Sequence, residues 1–263
     1  MRNRRTKWLA LLAVTLLGAG FSTAAEAQLT FGNENPRQTK AGLIGLTSID
    51  FKPDGMTQGI DTLFAPIAFS GSALNLTYSR ANALISFSWG QQPSTNDFPF
   101  DVRLIDVHLQ VWSELFFSEA AAEGDHRFFL PITLLSNYRD ISPDGNISVQ
   151  SFQTTSLGLG VGAGYYGQLS PNVLLEMRAT PELAVGFQSL SGRSGWTRLF
   201  DGNVDLHIGP LINKLGITIS YAFRATYWDV QRQQGGLAGL PDFSFEPLDF
   251  QEQRHTVSLG VYW

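Results

Sequence analysis

The sequence predicts an all-β chain: a transmembrane antiparallel up-and-down meander β-barrel of about 10 strands, with 8 or 12 as the alternatives. Three observations carry that prediction. Long segments alternate apolar and polar residues, the connections between them sort by length, and aromatic residues gather near the proposed strand ends.

The N-terminus is set apart before the strands begin. Arg2, Arg4, Arg5 and Lys7 precede an apolar run from Trp8 to Leu17, and small residues then end in Ala25-Glu26-Ala27. A basic n-region, a short apolar h-region and an A-x-A site make a secretory signal peptide. Residues 1–27 are therefore read as the signal and 28–263 as one barrel domain. The whole chain has 18 Lys+Arg and 23 Asp+Glu; removing four bases and Glu26 leaves 14 against 22, a net charge of −8. An acidic chain is a poor partner for nucleic acid, whose binding depends on cationic neutralisation of phosphates. There is no cysteine, so neither a disulfide framework nor thiolate chemistry is available. No second uninterrupted apolar run reaches the length of a membrane helix.

Ten strands follow in order: Ala41–Asp50, Ala73–Arg80, Ala83–Gly90, Val102–Ser118, His126–Arg139, Phe152–Leu169, Val173–Gln188, Thr197–Gly209, Lys214–Val230 and Gln251–Trp263. The first is weakly patterned, and Leu63, Ala65, Ile67 and Phe69 offer an extension of the second across a Gly71 bulge, or part of a separate pair. In the fourth, Ile105, Val107, Leu109 and Val111 alternate with Asp106, His108, Gln110 and Trp112. In the sixth, Leu157, Leu159 and Val161 alternate with Gly158, Gly160, Gly162 and Gly164. In the seventh, Val173, Leu175, Met177 and Ala179 oppose Glu176, Arg178 and Thr180. Val204, Leu206 and Ile208 oppose Asp205 and His207. In the ninth, Leu215, Ile217, Ile219, Tyr221 and Phe223 oppose Gly216, Thr218, Ser220, Ala222 and Arg224. Period two is a strand with two unlike faces. Pro131 and Pro181 lie inside strands and predict a bulge or local break there, because proline cannot donate to a ladder.

Short connections, Arg80–Asn82, Glu119–Asp125, Ser170–Asn172 and Pro210–Asn213, alternate with long ones, Phe51–Ser72, Gln91–Asp101, Asp140–Ser151, Ser189–Trp196 and Gln231–Phe250. A meander whose two ends live in different surroundings gives that order. Aromatics cluster at both ends: Trp89, Trp196, Tyr227 and Trp228 beside the long loops, Tyr78, Tyr165, Tyr166, Tyr262 and Trp263 beside the short turns. Interfaces favour such rings as girdles. The strands also exceed the five or six residues usual in a soluble sheet and reach the ~9–11 needed to cross a tilted bilayer path.

The expected interior is a lumen charge network of Arg103, Asp106, His108, Glu114, Glu176, Arg178, Glu182, Asp205, His207 and Arg224, with Arg254 on the same parity. Both signs on neighbouring strands suit mutual neutralisation in a narrow core, or a selective lining. The glycines from Gly158 to Gly164 would leave a groove along one wall or room for a ring such as Trp112. Asp140, Asp144 and Asp201 read as loop acids, with Asp144-Gly145 and Asp201-Gly202 as turns. No metal-ligand spacing is evident, and no cofactor motif. His255 and Ser258 have opposite parity, which argues against a hydrolase built on that pair.

The chain closes with HTVSLGVYW. This terminus resembles the C-terminal assembly signal of bacterial outer-membrane β-barrel proteins through Val257, Leu259, Val261 and Trp263, with tryptophan where phenylalanine is more usual. The resemblance implies recognition by the barrel-assembly machinery, closure of the last strand on the first, and residence in outer-membrane lipid. The functional expectation is a monomeric, non-enzymatic barrel: a narrow passive small-solute conduit or a structural envelope component. The alternative is a surface-binding, adhesin-like barrel acting on an extracellular ligand through its long loops, and third an outer-membrane hydrolase.

Overall fold

In a computed structural model of the protein, the described residues are 40–54, 67–80, 82–94, 100–116, 126–144, 151–188, 194–212, 215–230 and 249–263. The predicted signal peptide and loop residues 231–248 lie outside them. The strands are β1 (Lys40–Asp54), β2 (Phe69–Arg80), β3 (Ala83–Gln92), β4 (Val102–Phe116), β5 (His126–Pro143), β6 (Phe152–Val161), β7 (Ala163–Ser170), β8 (Val173–Gln188), β9 (Ser194–Ile212), β10 (Leu215–Val230) and β11 (Asp249–Tyr262). Every pairing is antiparallel and joins neighbours around a ring. The ring closes where β1 meets β11, from Ala41 opposite Tyr262 to Asp54 opposite Asp249.

Eleven segments make ten staves, because β6 and β7 are two halves of one. β5 pairs with β6 at Ile132–Val161 and with β7 at Phe129–Gly164, without a change of register. β8 likewise pairs Glu182 with Gly160 and Ala179 with Ala163. The gap at Gly162 therefore faces Pro131 on one side and, by the β8 register, Thr180 on the other, with Pro181 facing the adjacent Val161. Each proline lacks an N–H, so the intervening strand loses ladder bonds from both flanks. Pro131 still accepts from the Gly162 N–H at 3.0 Å. The break thus falls in the strand between the prolines, while β5 and β8 run on through them.

The two parities have opposite chemistry from those of a soluble sheet. Ile44, Leu46, Leu74, Leu76, Ile85, Leu157, Leu159 and Ile219 are exposed on the outer wall, as are Val257, Leu259, Val261 and Trp263 of the terminal motif. Thr47, Asn75, Ser88, Asp106, Thr133, Thr218, Arg254 and Thr256 are buried within. Closure satisfies the backbone groups that an apolar solvent would leave unpaired.

Trp228, Tyr166 and Tyr262 are not girdle residues: all three sit on the inward parity, Trp228 and Tyr166 buried and Tyr262 half-buried against His207, whereas Trp89, Trp196, Tyr78 and Trp263 are exposed outside. Connection lengths do not alternate strictly, since the β4–β5 connection spans 117–125 and the β8–β9 connection only 189–193. At the short-turn end of β9 the register with β10 shifts, and Gly209 there takes a φ of 142°, donating to Asn172 O at 2.9 Å. That backbone region favours glycine.

The glycine wall of β6 and β7 does not leave an open groove. A β-carbon at Gly160 would lie 2.4 Å from Glu182 Cγ, and one at Gly164 2.1 Å from Phe129 Cζ. Phe129 in turn stacks on Tyr166 at 4.7 Å. Gly164→Val is expected to displace that pair and to lower stability by about 1–3 kcal/mol. A urea midpoint in detergent matching wild type would show that Phe129 does not need the space.

Candidate functional site

The inward side chains form three tiers along the bore. The first, toward the long loops, is apolar: Ile49, Phe51, Phe69, Val102, Leu104, Ile141, Phe152, Trp228 and Phe250 form one buried cluster. Each comes from the long-loop end of its strand. Phe51 and Phe152 stand on diametrically opposed staves, yet their ring centroids are 4.8 Å apart. Phe250 stacks on Phe51 at 5.4 Å, and Trp228 meets Phe152 edge-on at 5.3 Å. Offset and edge-on pairs of this kind are favoured by the ring quadrupoles. Rings from opposite walls touch at this level.

Below it lies an ionic tier. Asp106 is the hub. Its Oδ1 accepts from Arg139 Nη2 at 2.9 Å and Asn137 Nδ2 at 2.9 Å, and its Oδ2 from Arg254 Nη1 at 2.6 Å. Arg139 also pairs with Glu252, and Arg224 Nε donates to Asp201 Oδ1 at 2.6 Å. Three carboxylates, Asp106, Asp201 and Glu252, thus meet three guanidiniums, Arg139, Arg224 and Arg254. Buried charges demand that balance, because an isolated ion inside costs several kcal/mol. Arg139 also lies 5.0 Å from the Trp228 ring, joining this tier to the aromatic one. His108 is wholly buried, with Nε2 3.9 Å from Asp201 Oδ2.

The third tier faces the short turns. Glu182 accepts from Gln110 at 2.9 Å and Thr133 at 2.8 Å. Arg178 donates to Gln110 at 2.9 Å and sits 3.8 Å over the Trp112 ring. Glu114 accepts from Trp112 Nε1 at 3.0 Å and Tyr166 Oη at 3.1 Å. Nearer the short-turn end of β8 and on β9, Glu176, Asp205 and His207 converge.

Of the ten residues expected in the network, nine face the interior in these tiers. Arg103 does not: it is exposed on the odd, outward parity of β4, because inward positions on that strand are even. Asp140 and Asp201 are likewise corrected from loop acids to strand residues: Asp140 of β5 pairs with Ile105 and Gln153, and Asp201 of β9 with Thr180 and Arg224. Sequence reasoning missed Arg139 and Glu252. Both continue the inward alternation of their strands, Asn137–Arg139 and Glu252–Arg254, and that parity was the signal available.

No protein-family model matches the chain, and no curated protein matches it. It is similar to three solved structures among others. The outer membrane protease OmpT of Escherichia coli is 8% identical over 89% of this chain and 99% of that one, with a TM-score of 0.42. The attachment invasion locus protein Ail of Yersinia pestis is 12% identical over 86% and 98%, at 0.30. The toluene transporter TodX of Pseudomonas putida is 11% identical over 87% and 90%, at 0.23. No residue role is carried from any of them to this chain.

Proposed function

We propose that the protein is an integral outer-membrane barrel with an occluded bore, serving as a structural component of the envelope. The apolar outer wall supports a lipid environment, since exposed Leu, Ile and Val over a closed sheet would be a liability in water. The predicted signal and the terminal motif support export and machine-assisted assembly. The observation that carries occlusion is the Phe51–Phe152 contact across the barrel. A small-solute conduit would require this contact and the ionic tier beneath it to move together. The role is read as non-enzymatic. His255 is exposed outside and lies 2.9 Å from Tyr221 Oη, whereas Ser258 is buried inside.

Planar-bilayer recording tests the reading. Wild type is expected to give no conductance steps above bare lipid. The double variant Phe51→Ala/Phe152→Ala is expected to stay closed as well, because Arg254–Asp106 and Arg139–Glu252 still span the bore. Steady ohmic conductance from the wild type would reject occlusion and restore the conduit.

A further inference from the structure

We propose that the inner wall at the short-turn mouth binds one divalent metal ion of the zinc class through Glu176, Asp205 and His207. One ligand atom from each residue lies within 4.8 Å of the others. Register creates the grouping. Glu176 of β8 stands directly opposite Asp205 of β9, and His207 follows Asp205 by two residues on the same face. Like charges directly opposite on one sheet face repel, and a cation between them reverses that sign.

The imidazole is oriented for ligation from outside the trio. His207 Nδ1 is 2.9 Å from Thr218 Oγ1 on β10, and Nε2 faces Glu176 Oε2 at 3.9 Å. That second distance is too long for a hydrogen bond. It is a little longer than the roughly 3.4 Å between two donors of a tetrahedral ion at bonds of about 2.0–2.2 Å, so a small inward movement of either side chain completes the pair. Anchoring one ring nitrogen while the other faces the ion is the usual outer-shell arrangement of a metal-bound histidine. Tyr262 of β11 adds a second brace, edge-on to the His207 ring at 5.7 Å. Gly216 makes room for it, since a β-carbon there would sit 2.2 Å from the Tyr262 ring. Ligands from β8 and β9 are thus held by braces from β10 and β11.

The donor set selects the ion. Two carboxylates and an imidazole suit zinc, with water completing four-coordination, whereas calcium and magnesium take oxygen donors throughout. His207 and Glu176 side chains are 21% and 14% exposed, which leaves an open side for that water and for entry. On the proposed orientation the ion arrives from the periplasm, and binding itself does not depend on whether the bore conducts.

The test uses the untagged full barrel in detergent, stripped by a chelator and titrated with zinc chloride against a fluorescent zinc chelator. Calcium and magnesium are run in parallel. One equivalent of zinc is expected to bind wild type. Asp205→Asn and His207→Ala are each expected to weaken it at least tenfold, and Thr218→Val about tenfold through the brace. Zinc should raise the thermal midpoint of wild type and leave that of Asp205→Asn unmoved. Heat-modifiable gel mobility shows which variants are folded; if His207→Ala is not, the near-isosteric Asp205→Asn and the chelator-reversible shift in wild type decide. Absence of saturable zinc uptake, equal uptake by Asp205→Asn, or tighter binding of calcium or magnesium would overturn the assignment.

Discussion

Asp106→Ala is expected to destabilise the barrel by about 3–5 kcal/mol, the range for removing one partner of a buried ion pair. Asp106 is wholly buried and receives both Arg139 and Arg254. Its loss leaves two guanidiniums to share Glu252, and a tier that was balanced three against three becomes net positive. Water reaches the site poorly, because the aromatic tier covers one side of it. The measurement is the urea midpoint of the folded form in detergent or vesicles, followed by gel mobility and tryptophan emission. A double-mutant cycle separates charge from packing. Asp106→Ala/Arg254→Ala restores neutrality, so its cost should fall short of the summed single costs by about 1 kcal/mol or more. An Asp106→Ala midpoint within experimental error of wild type would mean that the tier is hydrated and that its ion pairs are screened.

Leu46→Arg should cost about 2–4 kcal/mol for folding into lipid vesicles, the depth-dependent penalty for a cation on a barrel's lipid face. Leu46 lies near the middle of β1 and is 67% exposed. Its cross-strand neighbours, Val257 of β11 and Leu74 of β2, are also exposed and apolar. The adjacent Thr47 points the other way and shares a 2.9 Å hydrogen bond with Thr256 inside. A rim control makes the comparison interpretable: Gln253→Arg, exposed beside Asp50 near the long-loop end, should cost no more than about 1 kcal/mol. Equal effects at both positions would contradict a lipid belt centred on Leu46.

Much of the fold was legible because strand alternation is local. Each inward or outward assignment follows from a residue's own parity, and the ten proposed segments coincide with the ten staves to within a few residues. Where parity was misapplied, the reading failed: Arg103 shares the odd positions of Ile105 and Val107 and stands outside. Trp228 shares the even positions of Arg224 and Thr226, and it joins the buried aromatic cluster instead of lining an interface. The Asp201-Gly202 pair shows another limit, since turn-forming residues also occur within a long strand whose neighbours pair on both sides.

What the sequence by itself determined was an all-β chain, greasy on one face of each strand and polar on the other, long enough to cross a bilayer. Only the tertiary structure decided which inward groups meet. Arg254 and Asp106 are 148 residues apart in the chain, and they touch because β11 and β4 curve toward one another around a narrow ring. The Phe51–Phe152 contact and the Glu176–Asp205–His207 grouping have the same origin. Barrel radius and cross-strand register are collective properties of all ten staves, so no single segment's pattern contains them.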